Sequence, residues 1–407
     1  MATARFIAIG DCHFQHTHRR NGERLQALDR ILDESLRLGA PAAWLWLGDV
    51  FHQRSSIEDR NEVAPRLQRM ADAAPVVLIY GNHDQPGDLH ILARLKARYP
   101  IVVLDRPQVV TVTLTTGQQA AIFGLPYPHK GGLVAAGADV QQVRDASAPL
   151  LDAIFLDAAD HLSAAADGGA LTLMIGHATI AGSTSSVGQP MGLERDIAVD
   201  AGLLARLGDI PKIFGHIHKP QALHGAFYAG SIGRNDWGEV EEKRYLEVIF
   251  NEEDTSIESR PIACTPLWHV EGDLTRDGFT WRVTRGPDGE PLEPPASWAG
   301  CEVRVRYRFN ADEKVALDQA QILAEFATAK RLELDPIGVR NRAIRSVEVA
   351  TASTLPQKVA AFVRQSGGAW SPALETKLAL LQEPDGGASL TRVANPPAQP
   401  ELEEVTL

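Results

Sequence analysis

Five times in the first 220 residues a short apolar run ends in glycine and then in a polar residue. Phe6 to Ile9 leads into Gly10-Asp11, Ala43 to Leu47 into Gly48-Asp49, and Val76 to Tyr80 into Gly81-Asn82-His83-Asp84. Leu171 to Ile175 leads into Gly176-His177, and Ile213-Phe214 into Gly215-His216. Runs so short and so apolar predict buried strands. Between them, Glu23 to Leu38 and Asp59 to Ala73 carry apolar residues at helical spacing, and Pro41 and Pro75 mark the stops before the next strands. Strand and helix alternate in this way through about the first 250 residues, the pattern of a layered α/β domain. Glycine at a strand end lets the backbone turn sharply, and loops beyond the carboxyl ends of sheet strands are where such folds place ligands. The five loops are therefore expected to converge.

Near residue 260 the character changes. Cys264 to Leu274 and Cys301 to Phe309 predict strands, Asp312 to Ala329 a helix, and Arg345 to Ala350 another strand, with a turn-rich loop from Gly286 through Pro295. The chain thus divides into a large domain over 1–260, a small α+β module over 261–352 and a helical segment over 353–383. The Pro-rich, acidic tail over 384–407 is expected to be without structure.

Composition narrows the functional classes. Hydrophobic residues make up 44% and charged residues 23%, the balance of a globular chain. No apolar run approaches the roughly 20 residues of a membrane-spanning helix, so a cytoplasmic protein without membrane association is expected. Cys12, Cys264 and Cys301 are too few and too scattered for a disulfide framework or a cysteine-rich zinc site. The formal net charge of -12 counts against a nucleic-acid partner, whose phosphates are neutralised by Lys and Arg. Bound divalent cations or a local basic stripe would offset it.

The polar residues after the strands form a ligand set. Asp11 and His13 flank Cys12, and on extended backbone residues two apart share a side. Asp49, Asn82, His177, His216 and His218 add carboxylate, amide oxygen and imidazole donors. Oxygen and imidazole donors without sulfur suit Mn, Fe or Zn, and mixed sites of this kind hold pairs of ions that cleave phosphoesters. Such ions sit roughly 3.5 to 4 Å apart and share a bridging hydroxide; Asp49 is the candidate carboxylate bridge. His83, beside Asn82, is expected to protonate the leaving oxygen, with Asp84 orienting it.

In order and spacing these motifs resemble the calcineurin-like metallophosphoesterase superfamily, whose D-x-H, G-D, G-N-H-D/E, H and G-H-x-H elements are met at Asp11, His13, Asp49, Asn82, His177, His216 and His218. The resemblance implies a β-sandwich flanked by helices, with one ion on Asp11, His13, Asp49 and His218 and the other on Asp49, Asn82, His177 and His216. His83 would be the general acid. Within the superfamily, Gly48-Asp49-Val50-Phe51-His52-Gln53-Arg54-Ser55-Ser56 is similar to the G-D-L-F-H-x-R-x-S of SbcD-type nuclease subunits; the G-D-x-V-D-R-G of protein phosphatases is absent. The likeness continues at Leu125-Pro126-Tyr127, Gly215-His216-Ile217-His218-Lys219-Pro220, Tyr228 to Ile232 and Asp236-Trp237-Gly238-Glu239 to Lys243, covering about residues 4 to 250. Cys12 stands where Thr or Ser is more usual, and Ala181 to Arg195 follows the family loosely.

By that resemblance the chain is expected to be a DNA exonuclease/endonuclease of repair or recombination. Catalysis would use two divalent ions, manganese by preference, and His52 would hold the substrate phosphate. The second domain would cap the site and contact DNA. A homodimer working with an SMC-like coiled-coil ATPase (SbcC type) is also implied. The alternating Arg304, Arg306 and Arg308, with Arg340, Arg342 and Arg345 nearby, read either as a DNA-facing strip or as a solvated face paired with acids. The segment from Leu355 to Leu381 reads either as the ATPase dock or as packing within the chain. A small-molecule or nucleotide phosphodiesterase with the same metals is the alternative function, favoured by the acidic balance.

Overall fold

The structure is a computed structural model that describes residues 3–128, 140–186, 197–252, 254–286, 293–311, 319–339 and 347–380. Six strands build the first sheet in the spatial order Thr255–Ile262, Lys243–Phe250, Ala4–Ile9, Ala43–Trp46, Val76–Ile79, Ile101–Leu104. The last four run parallel, while Lys243–Phe250 joins antiparallel with Val248 opposite Phe6. A second sheet of six has the order Gln108–Thr113, Gln119–Leu125, Leu171–His177, Lys212–Gly215, Ala226–Tyr228, Gln221–Leu223.

Period-two alternation decides what each face buries. Ile7, Ile9, Trp44, Trp46, Val76 and Leu78 pack beneath the helices Asn21–Arg37 and Ile57–Ala73, against Leu28, Ile31, Leu32, Val63, Leu67 and Met70. The intervening Phe6, Ala8, Leu45, Val77 and Ile79 meet Ile122, Leu173, Ile175 and Ile213 of the second sheet. That sheet turns Phe123, Met174 and Phe214 outward, where Leu151, Phe155 and Leu162 of the helix Val140–Asp167 cover them. The result is helices, sheet, sheet, helix: the layered α/β order expected from the strand and helix pattern, in the flanked β-sandwich that the resemblance implied. Ser56 caps the Ile57–Ala73 helix in a reciprocal box with Asp59, satisfying amides that the first turn leaves without partners.

A third, four-stranded sheet has the order Gly278–Arg285, Leu267–Thr275, Glu302–Asn310, Arg331–Val339 and its own core of Trp268, Val270, Val303, Val305, Tyr307, Ile322 and Phe326. Two expectations need correction. The strand foreseen over 345–350 is instead, from Val347 to Thr351, a helix, and the fourth strand lies earlier, at Arg331–Val339. Pro336 sits in that strand, which is tolerated because it lies at a sheet edge, where a missing amide breaks no ladder. Of the helix foreseen over 312–329, Ala320–Glu325 is helical; 312–318 lie outside the described residues, as do 287–292 and the expected tail.

The described residues of 1–309 and 316–337 pack as one compact unit, so most of the third sheet shares a unit with the two larger sheets. The described residues of 310–315 and 338–407 belong to a second unit, whose helices include Leu355–Gln365, with a capping box between Thr354 and Gln357, and Pro372–Leu380. Among the described residues, no helix is long and apolar enough to cross a membrane.

The outer layer carries a direct test. Phe155 is fully buried, with its ring edge-on to Phe123 at 5.5 Å. Phe155→Ala is expected to cost about 3–5 kcal/mol of stability, read from the midpoint of urea unfolding; a loss below about 1 kcal/mol would contradict this packing.

Candidate metal centre

Asp11, Asp49 and Asn82 follow the parallel strands of the first sheet, while His177, His216 and His218 lie at or just after strand ends of the second. The loops converge. His13 Nε2 lies 2.9 Å from His218 Nε2, and Asp49 Oδ2 lies 3.5 Å from His13 Nε2 and 3.4 Å from His177 Nε2. Asn82 Oδ1 is 3.0 Å from His177 Nε2 and 2.9 Å from His216 Nδ1. Asp11, His13 and His218 offer ligand atoms all within 4.8 Å of one another, and so do Asp11, Asp49 and His177.

The backbone is bent to achieve this. Among the described residues, five other than glycine have positive φ, and four of them are Asp11 (46°), His13 (48°), Asp49 (49°) and His216 (89°). Left-handed backbone costs roughly 1–2 kcal/mol per residue with a side chain, and such strain collects at functional sites. Glycine makes the crowding possible. A methyl group on Gly81 would overlap the backbone and carboxylate of Asp49, and one on Gly48, itself at φ 90°, would overlap the His177 ring.

The electrostatics fit cations. Asp11 and Asp49 are both buried. Burial raises the Asp11 carboxyl from its ordinary value, and His177 and His218 offset this only in part. Asp11 Oδ2 has no hydrogen-bond partner among the described residues. Asp49 is held well below the carboxylate range because His177 and His13 outweigh its burial. Burial disfavours a charged His177 as well, yet Asp49 beside it pushes its pKa up to about 9. Positive charge is thus favoured beside these carboxylates, which divalent cations would supply. An orphaned carboxylate oxygen amid imidazoles, one amide oxygen and no thiolate is a donor set that fits Mn, Fe or Zn.

Supporting contacts fix the rings. His177 Nδ1 donates to the Leu47 carbonyl at 2.6 Å, leaving Nε2 for the centre. His218 Nδ1 lies 2.6 Å from Glu239 Oε1, and Glu239 Oε2 accepts from the buried Lys243 Nζ at 2.6 Å. A carboxylate behind a ligating imidazole sets its orientation and raises its basicity. Arg24, buried, donates to the His13 carbonyl and to Asn235. Glu239 and Lys243 stood in a stretch of family likeness without a role. An acid beyond the last G-H-x-H residue is the signal that could have found Glu239.

At the half-buried rim, His83 Nδ1 donates to the His52 carbonyl at 2.7 Å, and the two rings stack with centroids 5.4 Å apart. Both lie beside His13, His83 with its centroid 4.7 Å away. Asp84 does not orient His83 as expected. It accepts from the amides of Phe51 at 3.1 Å and Gly81 at 2.9 Å, tying the Asp49 loop to the Asn82 loop. Burial, with the Asp49 charge nearby, pushes its pKa up to about 7. Cys12 is fully buried and its Sγ accepts from the Trp46 indole at 2.9 Å, so it packs away from the donors.

The basic residues of the third sheet are not free. Arg304 and Arg306 both reach Asp335, at 3.1 and 2.9 Å, and Arg308 lies 3.8 Å from Asp273. Each of the three thus has an acid beside it; Arg340, Arg342 and Arg345 lie outside the described residues.

A family model described as calcineurin-like phosphoesterase matches residues 4–220, a span that contains every one of the seven converging donors. The chain belongs to this family. As a calcineurin-like phosphoesterase it is a metal-dependent hydrolase of phosphoesters, and the converging aspartates and histidines are where its divalent ions fit. A solved structure described as a hypothetical protein from Thermus thermophilus aligns with 64% of this phosphoesterase and 100% of its own chain, at 12% identity and a TM-score of 0.33.

Asp49→Asn is expected to abolish tight manganese binding by isothermal titration calorimetry, whereas Glu239→Gln should weaken it about 10- to 100-fold. Undiminished uptake of two ions by the Asp49 variant would refute the centre.

Proposed function

We propose that this phosphoesterase is a DNA exonuclease/endonuclease of the SbcD type, acting in DNA repair or recombination. The observation that carries the reading is the stacked His52 and His83 pair at the rim, placed there by the Gly48-Asp49-Val50-Phe51-His52-Gln53-Arg54-Ser55 stretch. In this reading Asp11, His13, Asp49 and His218 hold one ion and Asp49, Asn82, His177 and His216 the other. Two manganese ions would supply neutralisation of phosphate oxygens and activation of water.

The chain's own groups do the rest. The carbonyl of His52 fixes the His83 ring through Nδ1, leaving Nε2 to pass a proton to the leaving oxygen. His52 is half-buried, and burial, with His83 beside it, lowers its pKa. Asp84 keeps the two loops at fixed separation through backbone amides.

DNA, a second copy of the chain and an SMC-like coiled-coil ATPase are the partners that go with this reading. Exposed Leu355 and Phe362 on the helix Leu355–Gln365 and exposed Trp370 just beyond it support an ATPase dock there. A second reading, a small-molecule or nucleotide phosphodiesterase, is favoured by the net charge of -12 and by the ion-paired state of Arg304, Arg306 and Arg308.

Linear duplex, hairpin DNA and a cyclic nucleotide, assayed side by side with manganese, separate the two. Cleavage of the DNA substrates is expected; hydrolysis of the cyclic nucleotide alone would decide for the second reading. His83→Ala should lower kcat roughly 10²- to 10⁴-fold, and His52→Ala should impair duplex cleavage more than hydrolysis of bis(p-nitrophenyl) phosphate. Full DNA cleavage by the His83 variant would remove the proposed acid.

A further inference from the structure

Glu239 fixes His218; Lys243 and Asn235 hold its carboxylate, and the third sheet holds the two residues before it. The stretch Asp236-Trp237-Gly238-Glu239 is neither helix nor strand, so its backbone carbonyls are held outside any ladder: Arg234 Nε donates to Glu239 O at 2.7 Å and Val240 N to Gly238 O at 3.2 Å. Two of those carbonyls accept from side chains of the third sheet. His269 Nε2 donates to Trp237 O at 2.6 Å, and Arg285 Nη1 donates to Gly238 O at 3.2 Å. Arg285 Nη2 reaches Ser186 O at 2.9 Å and so ties a second loop beside His216 and His218 to the same point.

The Trp237 ring is gripped as well. The guanidinium carbons of Arg20 and Arg331 lie 5.5 and 5.3 Å from its centroid. Arg20 pairs with buried Glu302 of the third sheet at 2.6 Å, which keeps one of those charges in place. Cation-π contacts of this kind gain strength when shielded from water, and Trp237 is only 5% exposed.

We infer that Arg285 and His269 are positioning residues for His218, acting through the Trp237-Gly238-Glu239 backbone, so that the third sheet sets the affinity of one metal site from outside it. The chain of contacts is short: Arg285 and His269 hold two carbonyls, the next residue is Glu239, and its Oε1 lies 2.6 Å from His218 Nδ1. Asn82 and His177 are held differently, by contacts with each other and with Leu47, Asp49 and His216. The two ion sites should therefore respond differently. The inference rests on the two-ion reading proposed above.

Manganese titration of the metal-free protein, followed by calorimetry and by the electron paramagnetic resonance signal of the coupled ion pair, tests it. In Arg285→Ala and His269→Ala, one binding step should weaken roughly tenfold while the other stays at its wild-type value. His269→Gln and Arg285→Lys, which each keep an N–H donor, should recover part of the loss and serve if an alanine variant does not fold. Folded variants in which both steps are unchanged, or in which both weaken equally, would overturn the inference. A wild-type protein that binds fewer than two ions would instead overturn the two-ion reading, and the inference with it.

Discussion

Two carboxylates, Asp11 and Asp49, are buried at one end of a β-sandwich with a fully buried histidine beside them. Like charges in a poorly solvated space cannot both be accommodated unless positive charge lies among them. The protein provides imidazoles, and Asp11 keeps one oxygen without any protein donor among the described residues. That requirement explains why the strands end where they do, why glycines precede the acids, and why the site is framed by rings whose outer nitrogens are already committed to Leu47, Glu239 and the His52 carbonyl.

The strain at the donors belongs to the same logic. Four donors adopt backbone that side chains disfavour, and the surrounding core must hold them there. It can, because the strands behind them are buried on both faces and the helices Asn21–Arg37 and Ile57–Ala73 cover the first sheet. A stable layer on each side converts two flat sheets into a rigid frame for short loops.

Much of this was legible in the chain. Apolar runs ending in glycine and a polar residue mark strands and ligand loops together, because burial and tight turning are both local demands. What was not legible depends on distant parts meeting. Asp84 follows His83 directly, yet successive residues diverge, and its carboxylate serves the loops of Phe51 and Gly81. Arg304, Arg306 and Arg308 alternate as a basic stripe in sequence, but their neutralising acids, Asp273 and Asp335, come from neighbouring strands. The strand Arg331–Val339 was hidden by its proline and by alternating charge, both tolerable only at an edge that the sequence alone does not identify.

The donors are shared out between the layers: Asp11, His13, Asp49 and Asn82 ride on one sheet, His177, His216 and His218 on the other. The groups built on Asp11 take donors from both halves, so the greasy seam where Phe6, Leu45 and Val77 touch Ile122, Leu173 and Ile213 doubles as a caliper. A slip of that seam by one ångström would change the spacing of every donor across it. The pocket therefore reports, through its hold on metal, whether the two leaves of the sandwich are in register.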